Sequence, residues 1–201
     1  LFLPGTIGSI TWLARNQDRT HLIRHGVVLT GVGDSGHVTY KRSRQGNAYV
    51  DRVFQHVLKH RGPGNKVVEF SPYGYDERQY CSPGFNLPVG CFMRTTHGEY
   101  PEYHTSADNL EFVSPAALQD SLEILLQAVY AIENDVVPLS LNPYCEPQLG
   151  KRGLYRAIAG QKEGAQKEMA LLWVLNLSDG EHTLLDIAER ADVPFEIIHA
   201  A

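Results

Sequence analysis

Over its first 135 residues the chain alternates short apolar runs with segments whose apolar residues recur at helical spacing. The apolar runs have the length of strands and lie at 1–3, 27–33, 37–40, 67–70 and 85–93. The hydrophobic run at 27–33 predicts a central strand that is buried on both faces of a sheet.

Three segments between these runs predict helices. The first begins at Pro4, and the second extends from an N-cap at Asn47 to His60. The third is a long helix that begins at Pro115. Its predicted buried stripe consists of Leu118, Leu122, Leu125, Leu126, Val129 and Ile132. Strands that alternate with helices predict an α/β fold, a three-layer sandwich with a mostly parallel central sheet.

The C-terminal third has a different pattern. Prolines and glycines cluster at 143–153, which predicts a linker at 143–164 between an α/β domain at 1–142 and a small helical unit at 165–201. The pattern of the helical unit predicts a helix, a turn and a second helix, which is the order found in a winged-helix domain. Its third helix begins with Pro194, Phe195 and Glu196 rather than with basic or amide residues. This favours a packing or protein-contact module over a DNA reader.

Composition and charge narrow the class of protein. The chain has 201 residues, is 43% hydrophobic and carries a net charge of −5, which argues against a general nucleic-acid surface. The three cysteines, Cys81, Cys91 and Cys145, have no metal-finger spacing and fit reduced thiols in a cytoplasmic protein. No apolar run has the length of a membrane-spanning helix, so no membrane partner is expected. The apolar first residues and the apparent helix at the last ones predict a fragment of a longer protein.

Candidate chemistry lies where predicted strands end, because ligands bind at the carboxyl ends of parallel strands. Asp34 follows the run at 27–33. Residues 71–79 follow the run at 67–70 and include two tyrosines, two acids and an arginine. His104 follows the last predicted strand and precedes small polar residues that fit a turn at the rim of a cleft. Plain turns at 34–36 and 105–108 and a salt-bridged surface turn at 71–79 are the alternatives.

Two stretches carry a resemblance to a known family. Residues 103–109 (YHTSADN) resemble the His-Thr-x-x-Asp turn of co-catalytic zinc aminopeptidases. Residues 71–90 (SPYGYDERQYCSPGFNLPVG), together with 4–10 (PGTIGSI), resemble a bacterial family of aminopeptidase-like proteins with a C-terminal winged-helix domain. The resemblance covers nearly the whole chain. It implies zinc as the cofactor, with His104 and Asp34 as ligands.

Further roles follow from the resemblance and from the composition of the 71–79 loop. Asp76 and Glu77 are the candidate proton-transfer groups, and Tyr75, Arg78 and Tyr103 are the candidate substrate-binding residues. Because Asp34, the adjacent acids Asp76 and Glu77, and His104 follow three separate strands, we expect the four side chains to meet in one cleft.

The chain also departs from the family. Gly5 and Thr6 stand where the family has a pair of glutamates, and its upstream His and Asp ligands are not among these residues. Two hypotheses therefore stay open. One is a zinc-dependent aminopeptidase-like hydrolase that acts on a small peptide or aminoacyl compound. The other is a non-catalytic binding or scaffold protein that retains the fold; a homo-oligomer is compatible with both.

Overall fold

The computed structural model of the chain describes residues 2–154 and 162–201. The described residues divide into two compact units, one ending at Ala128 and one formed by Val129–Ala201. The predicted linker at 143–164 lies partly outside the described residues. Among the helices of the described part, none combines the length and the apolar character needed to cross a membrane.

The first unit contains a four-stranded sheet. Its strands are β1 (Gly26–Leu29), β2 (Thr39–Lys41), β3 (Lys66–Val68) and β4 (Val89–Met93), in the order β1-β4-β2-β3. The pairs β1–β4 and β2–β3 are parallel, and β2–β4 is antiparallel. The predicted α/β class with a mostly parallel sheet is confirmed.

Two strand predictions were wrong. The run at 27–33 forms only the short strand β1, which lies at an edge of the described sheet, and Leu29 is 52% exposed there. The two inner strands are β4 and β2, and all their residues are buried. Phe2 and Leu3 are not part of a strand, and Leu1 lies outside the described residues. The apolar run at 27–33 thus predicted a strand correctly but did not predict its place in the sheet.

The helices of the chain are α1 (Ile7–Arg15), α2 (Tyr49–His60), α3 (Glu77–Tyr80), α4 (Pro115–Asn134), α5 (Lys162–Leu177), α6 (Leu184–Ala191) and α7 (Phe195–His199). Two short 3-10 helices cover Gln17–Leu22 and Gly150–Arg152. The predicted helix beginning near Pro4, the helix ending at His60 and the helix beginning at Pro115 are all present.

The core of the first unit forms where β4 meets β2 and α2. The ring of Tyr40 stacks on Phe54 at a centroid distance of 4.4 Å, and Phe92 packs against Phe54 at 5.9 Å. A Cβ atom on Gly90 would lie 2.0 Å from the Tyr40 hydroxyl, so only glycine fits at this position of β4. The Tyr40 hydroxyl donates to the buried carboxylate of Asp51 at 3.0 Å.

Helix α4 buries a different face from the one its leucines predict. The buried positions of α4 carry small residues with one exception, Ile124. They are Ala117, Ser121, Ile124, Ala128 and Ala131. Leu118, Leu122, Leu126 and Val129 are 43–58% exposed, while Leu125 and Ile132 are half-buried. The prediction of a buried leucine stripe was therefore wrong. Small side chains bring the helix close to its neighbours, as the bond from the Ser121 hydroxyl to the Val32 carbonyl shows at 2.8 Å.

The second unit contains α5, α6 and α7 in helix-turn-helix order, as predicted. Thr183 and Asp186 cap α6 reciprocally, with bonds of 3.1 Å and 2.8 Å between the side chain of one and the backbone N–H of the other. Asp192 ends this helix in the left-handed conformation, and Pro194 precedes α7. Ile187, Phe195 and Ile198 form a core in which each is at most 1% exposed.

Candidate functional site

Asp34 is buried and fixes the turn that follows β4. Its carboxylate accepts hydrogen bonds from the Thr95 hydroxyl at 2.5 Å, from the Thr95 N–H at 3.2 Å and from the Gly36 N–H at 2.8 Å. A Cβ atom on Gly36 would lie 2.1 Å from the Thr95 hydroxyl oxygen, so the close approach requires glycine. Asp34 therefore holds the beginning of the 95–104 segment in place.

Asp76 caps helix α1 from another part of the chain. Its carboxylate accepts a hydrogen bond from the Thr6 N–H and one from the Ser9 hydroxyl, each at 2.6 Å. Thr6 is the N-cap residue of α1, and its own side chain makes no capping bond. A carboxylate in this place is also favoured by the positive end of the helix dipole. These contacts give Asp76 a structural role.

Glu77 forms a buried ion pair. One of its carboxylate oxygens lies 2.5 Å from the Lys41 Nζ, and the two side chains are 0% and 7% exposed. The Lys41 ammonium also donates to the Tyr73 carbonyl at 2.8 Å and to the Ser71 carbonyl at 3.2 Å. A Cβ atom on Gly74 would lie within 2.5 Å of both partners of the ion pair. The pair thus determines the path of the loop at 71–77.

A cluster of rings lies beside these acids. It is called the aromatic rim here and consists of Tyr73, Tyr75, His97, Tyr100, Tyr103 and His104. The rings of Tyr73 and Tyr75 each lie 5.1 Å from the His97 ring, and the His104 ring stacks on Tyr103 at 3.9 Å. Three segments of the chain, the loop after β3 and the two turns after β4, therefore meet at the rim.

Two tyrosines of the rim, Tyr75 and Tyr100, have a raised pKa. Burial raises the pKa of Tyr75, and a hydrogen bond with Tyr103 raises it further. Burial also raises the pKa of Tyr100, and the nearby charges of Asp108 and Asp34 add to this effect. Neutral tyrosines next to acidic groups provide hydrogen-bond donors and a negative field, an environment that suits an organic cation such as an amine.

The structure brings some of the predicted site residues together. Tyr75 lies near enough to Tyr103 for that residue to raise its pKa, and Tyr103 contacts His104. Asp34 acts on the rim through its charge on Tyr100, whereas Asp76 and Glu77 contact α1 and Lys41 instead. These contacts leave the catalytic, metal-ligating and substrate-binding roles of the named residues as predictions.

Arg78 is half-buried, and its Nε atom is buried without a hydrogen bond to any residue that the structure describes. His104 is exposed and has a φ of 59°, an uncommon conformation for a residue other than glycine. Uncommon backbone conformations are more frequent at functional sites, which makes His104 worth testing.

The described residues do not complete a zinc site. Across 2–154 and 162–201, no group of three or more His, Cys, Asp or Glu side chains is placed to hold a metal ion. Catalytic zinc sites use three protein ligands and a water molecule. The proposed ligands His104 and Asp34 would therefore need others.

Sequence reasoning missed His97 and Thr95. His97 touches three tyrosines of the rim, and its Nδ1 atom is buried without a hydrogen bond to the described residues. The signal that was available is its place just after the end of a strand, the same signal that selected Asp34. Thr95 gave no signal, because only the tertiary structure brings it to Asp34.

Two family models together match the whole chain. A family described as a domain of unknown function (DUF4910) matches residues 1–135, and a winged helix-turn-helix family matches residues 136–201. The second match agrees with the helix-turn-helix order of α5, α6 and α7.

Two similar proteins from Clostridium acetobutylicum are longer than this chain. A Clostridium acetobutylicum protein named "Putative polysaccharide biosynthesis protein with aminopeptidase-like domain" is 50% identical over 201 residues, which are 100% of this chain and 46% of the relative. The crystal structure of a "putative peptidase" from the same species has a TM-score of 0.88 and 47% identity, over 98% of this chain and 43% of that one. The chain thus spans less than half the length of these relatives.

A more distant likeness concerns the fold alone. The aminopeptidase from Aneurinibacillus sp. strain AM-1 has a TM-score of 0.50 and 21% identity, over 62% of this chain and 30% of that one. Part of the fold of this chain therefore recurs in a protein named as an aminopeptidase.

Proposed function

Since the chain belongs to the family described as a domain of unknown function (DUF4910), we propose that it is part of an aminopeptidase-type hydrolase. The observation that carries the proposal is the match to the C. acetobutylicum structure named as a peptidase, at a TM-score of 0.88 and 47% identity. The proposal includes the three-layer fold of zinc aminopeptidases for the whole protein.

The aromatic rim is the proposed substrate site. A peptide or aminoacyl substrate presents an amine, and the neutral tyrosines and nearby acids of the rim suit a cation. Tyr75 and Tyr103 supply neighbouring hydroxyls, and Arg78 supplies a guanidinium for a carboxylate or carbonyl group. Peptides contain both kinds of group.

Zinc is the proposed cofactor of the whole protein, with His104 and Asp34 as two of its ligands. The remaining ligands would come from outside the described residues, because these supply no complete set. Asp34 would exchange some of its bonds with Thr95 for the metal. Proton transfer by Asp76 or Glu77 remains a prediction, and their observed contacts make both of them positioning residues for the loop at 71–77.

The test uses the full-length protein that contains this chain. We expect bound zinc in metal analysis, hydrolysis of leucine p-nitroanilide, and loss of both in the variant His104→Ala. The control is His21→Ala, which alters an exposed histidine outside the rim. Equal zinc content in the wild type and in His104→Ala would contradict the ligand assignment. Zinc binding without hydrolysis of any aminoacyl compound tested would instead favour the scaffold alternative.

A further inference from the structure

The second unit contains a cavity that the proposed hydrolase site does not use. It has a volume of about 720 Å³ and lies between the 140–152 loop and helix α5. Cavities of about 300–1,000 Å³ are typical of sites for small organic molecules. The cavity is therefore large enough for a ligand of one to three rings.

One wall of the cavity is a single face of α5. Met169, Leu172, Trp173 and Asn176 line it, and their spacing of three and four residues puts them on one side of the helix. Trp173 and Leu172 are half-buried, so part of their apolar surface remains open to the cavity. A half-covered indole is a flat apolar surface on which a planar ring can stack.

The other wall is a loop whose backbone is restricted. Pro143 and Pro147 lie in it and each fix one φ angle, while the φ of Cys145 is +63°. Arg152 lines the cavity from the end of the 3-10 helix Gly150–Arg152, and its side chain is exposed. Glu146 also lines the cavity but already has an interaction partner. A guanidinium is a strong binder of carboxylates and sulfonates, because its fork of N–H groups matches two acid oxygens.

We propose that this cavity binds a planar aromatic anion, with the ring stacked on Trp173 and the acid group paired with Arg152. The apolar wall favours the ring and the guanidinium selects the negative charge. A neutral ring would gain only the first interaction, and an aromatic cation would be repelled by Arg152.

Cys145 provides a direct probe of this site. It is exposed and lines the cavity, whereas Cys81 and Cys91 are buried, and burial raises the pKa of both buried thiols. Iodoacetamide should therefore alkylate Cys145 much faster than the other two, since the thiolate is the reactive form. A ligand in the cavity should slow this alkylation in proportion to occupancy.

The experiment titrates the full chain with anilinonaphthalene sulfonate, an aromatic anion that fluoresces when bound in an apolar site. We expect saturable fluorescence with parallel protection of Cys145 from alkylation. Trp173→Ala should weaken binding about tenfold, and Arg152→Gln about two- to fivefold. The matched control is Lys151→Gln, which removes the adjacent exposed cation that is not among the cavity's lining residues and should leave binding unchanged.

Three outcomes would overturn the proposal. The first is unchanged alkylation of Cys145 at a saturating concentration of the dye. The second is an equal effect of Arg152→Gln and Lys151→Gln, which would indicate general charge attraction. The third is equal affinity for anilinonaphthalene without its sulfonate. Trp173→Phe keeps an aromatic wall, so it should bind the dye with nearly the affinity of the wild type. It is the control for Trp173→Ala, because it changes the same position without removing the ring on which the dye stacks.

Discussion

The acids beside the candidate site differ from the side chains of the aromatic rim in their burial and in their bonding partners. Asp34, Asp76 and Glu77 each bind partners elsewhere in the fold, and Glu77 is fully buried. His104 and Tyr73, in contrast, are exposed members of the rim. The acids build the loops that carry the rim, whereas the rim presents side chains to solvent. A carboxylate at the end of a strand can therefore serve the fold as readily as it can serve catalysis.

The physical reason is the cost of burying a charge. A buried carboxylate is tolerated only when hydrogen bonds or an opposite charge satisfy its oxygens, so its partners become structural requirements. Exposed rings and an exposed imidazole carry no such requirement. Substitutions in the two groups should therefore separate stability from binding.

The largest expected effect is on the Lys41–Glu77 pair. Glu77→Gln leaves the Lys41 ammonium buried without its counter-charge, and we expect the free energy of unfolding to fall by about 3–5 kcal/mol. Urea denaturation followed by circular dichroism measures this. The double variant Lys41→Met with Glu77→Leu replaces the pair by apolar groups of similar size and should recover most of the loss. If the urea midpoint of Glu77→Gln equals that of the wild type, Glu77 does not stabilise the fold. The contrast between structural acids and exposed rim residues would then be wrong.

A smaller effect is expected at the cap of α1. Asp76→Ala removes the acceptor for the Thr6 N–H and the Ser9 hydroxyl, and should lower stability by about 0.5–2 kcal/mol. Asp76→Asn keeps a hydrogen-bond acceptor and should lose less. Amide hydrogen exchange of the first turn of α1 reports the change locally. Unchanged exchange in Asp76→Ala would show that the carboxylate does not cap the helix, and would reopen its role in proton transfer.

The pH dependence of Asp120 extends the comparison to a partly exposed acid. Burial alone would raise its pKa, but hydrogen bonds from Arg94 and Arg61 outweigh this effect and hold the pKa below its usual range. Its contribution to stability is therefore complete above the ordinary aspartate pKa and is lost as pH falls through the lower folded-state value. Asp120→Asn should reduce stability slightly at neutral pH and match the wild type at acid pH. The effect is small because the Asp120 side chain is 38% exposed.

The smallest effect on stability is expected at the rim. His104 is exposed, so His104→Ala should change the free energy of unfolding by no more than about 0.5 kcal/mol. Binding of an aminoacyl ligand by the full-length protein should nevertheless weaken. Isothermal titration with leucine, beside a urea denaturation of the same sample, tests both statements. A large loss of stability in His104→Ala would place this residue with the structural acids.

Two helices of the chain illustrate how far an apolar pattern reaches. The apolar residues of α2 recur at helical spacing, and the structure buries that face: Val50, Val53, Phe54, Val57 and Leu58 are each at most 7% exposed. The predicted face of α4 was wrong. Helix α2 has one apolar face and polar residues opposite, so the pattern permits one orientation. Helix α4 has leucines on one side and alanines, with Ser121 and Ile124, on another, so the pattern permits two.

The same division applies to the candidate site. The ends of strands and the ring-rich turns are visible in the sequence, and they selected Asp34, Tyr75, Tyr103 and His104. The partners of these residues lie far away along the chain: Asp34 and Thr95 are 61 positions apart, and Asp76 and Thr6 are 70 apart. Local patterns contain no information on such pairs, so the structural role of the acids was not predictable.

The sequence by itself determined the α/β class, the helices α1, α2 and α4, the helix-turn-helix order of the second unit and three members of the rim, Tyr75, Tyr103 and His104. Each of these depends on interactions between neighbours along the chain: helical periodicity, capping and turn chemistry. Only the tertiary structure decided that β4 and β2, and not β1, are the inner strands, which face of α4 is buried, and that Asp76 and Glu77 are held by α1 and Lys41. Those outcomes depend on how closely distant segments can pack and on which buried charge finds a partner, and both are properties of the assembled fold.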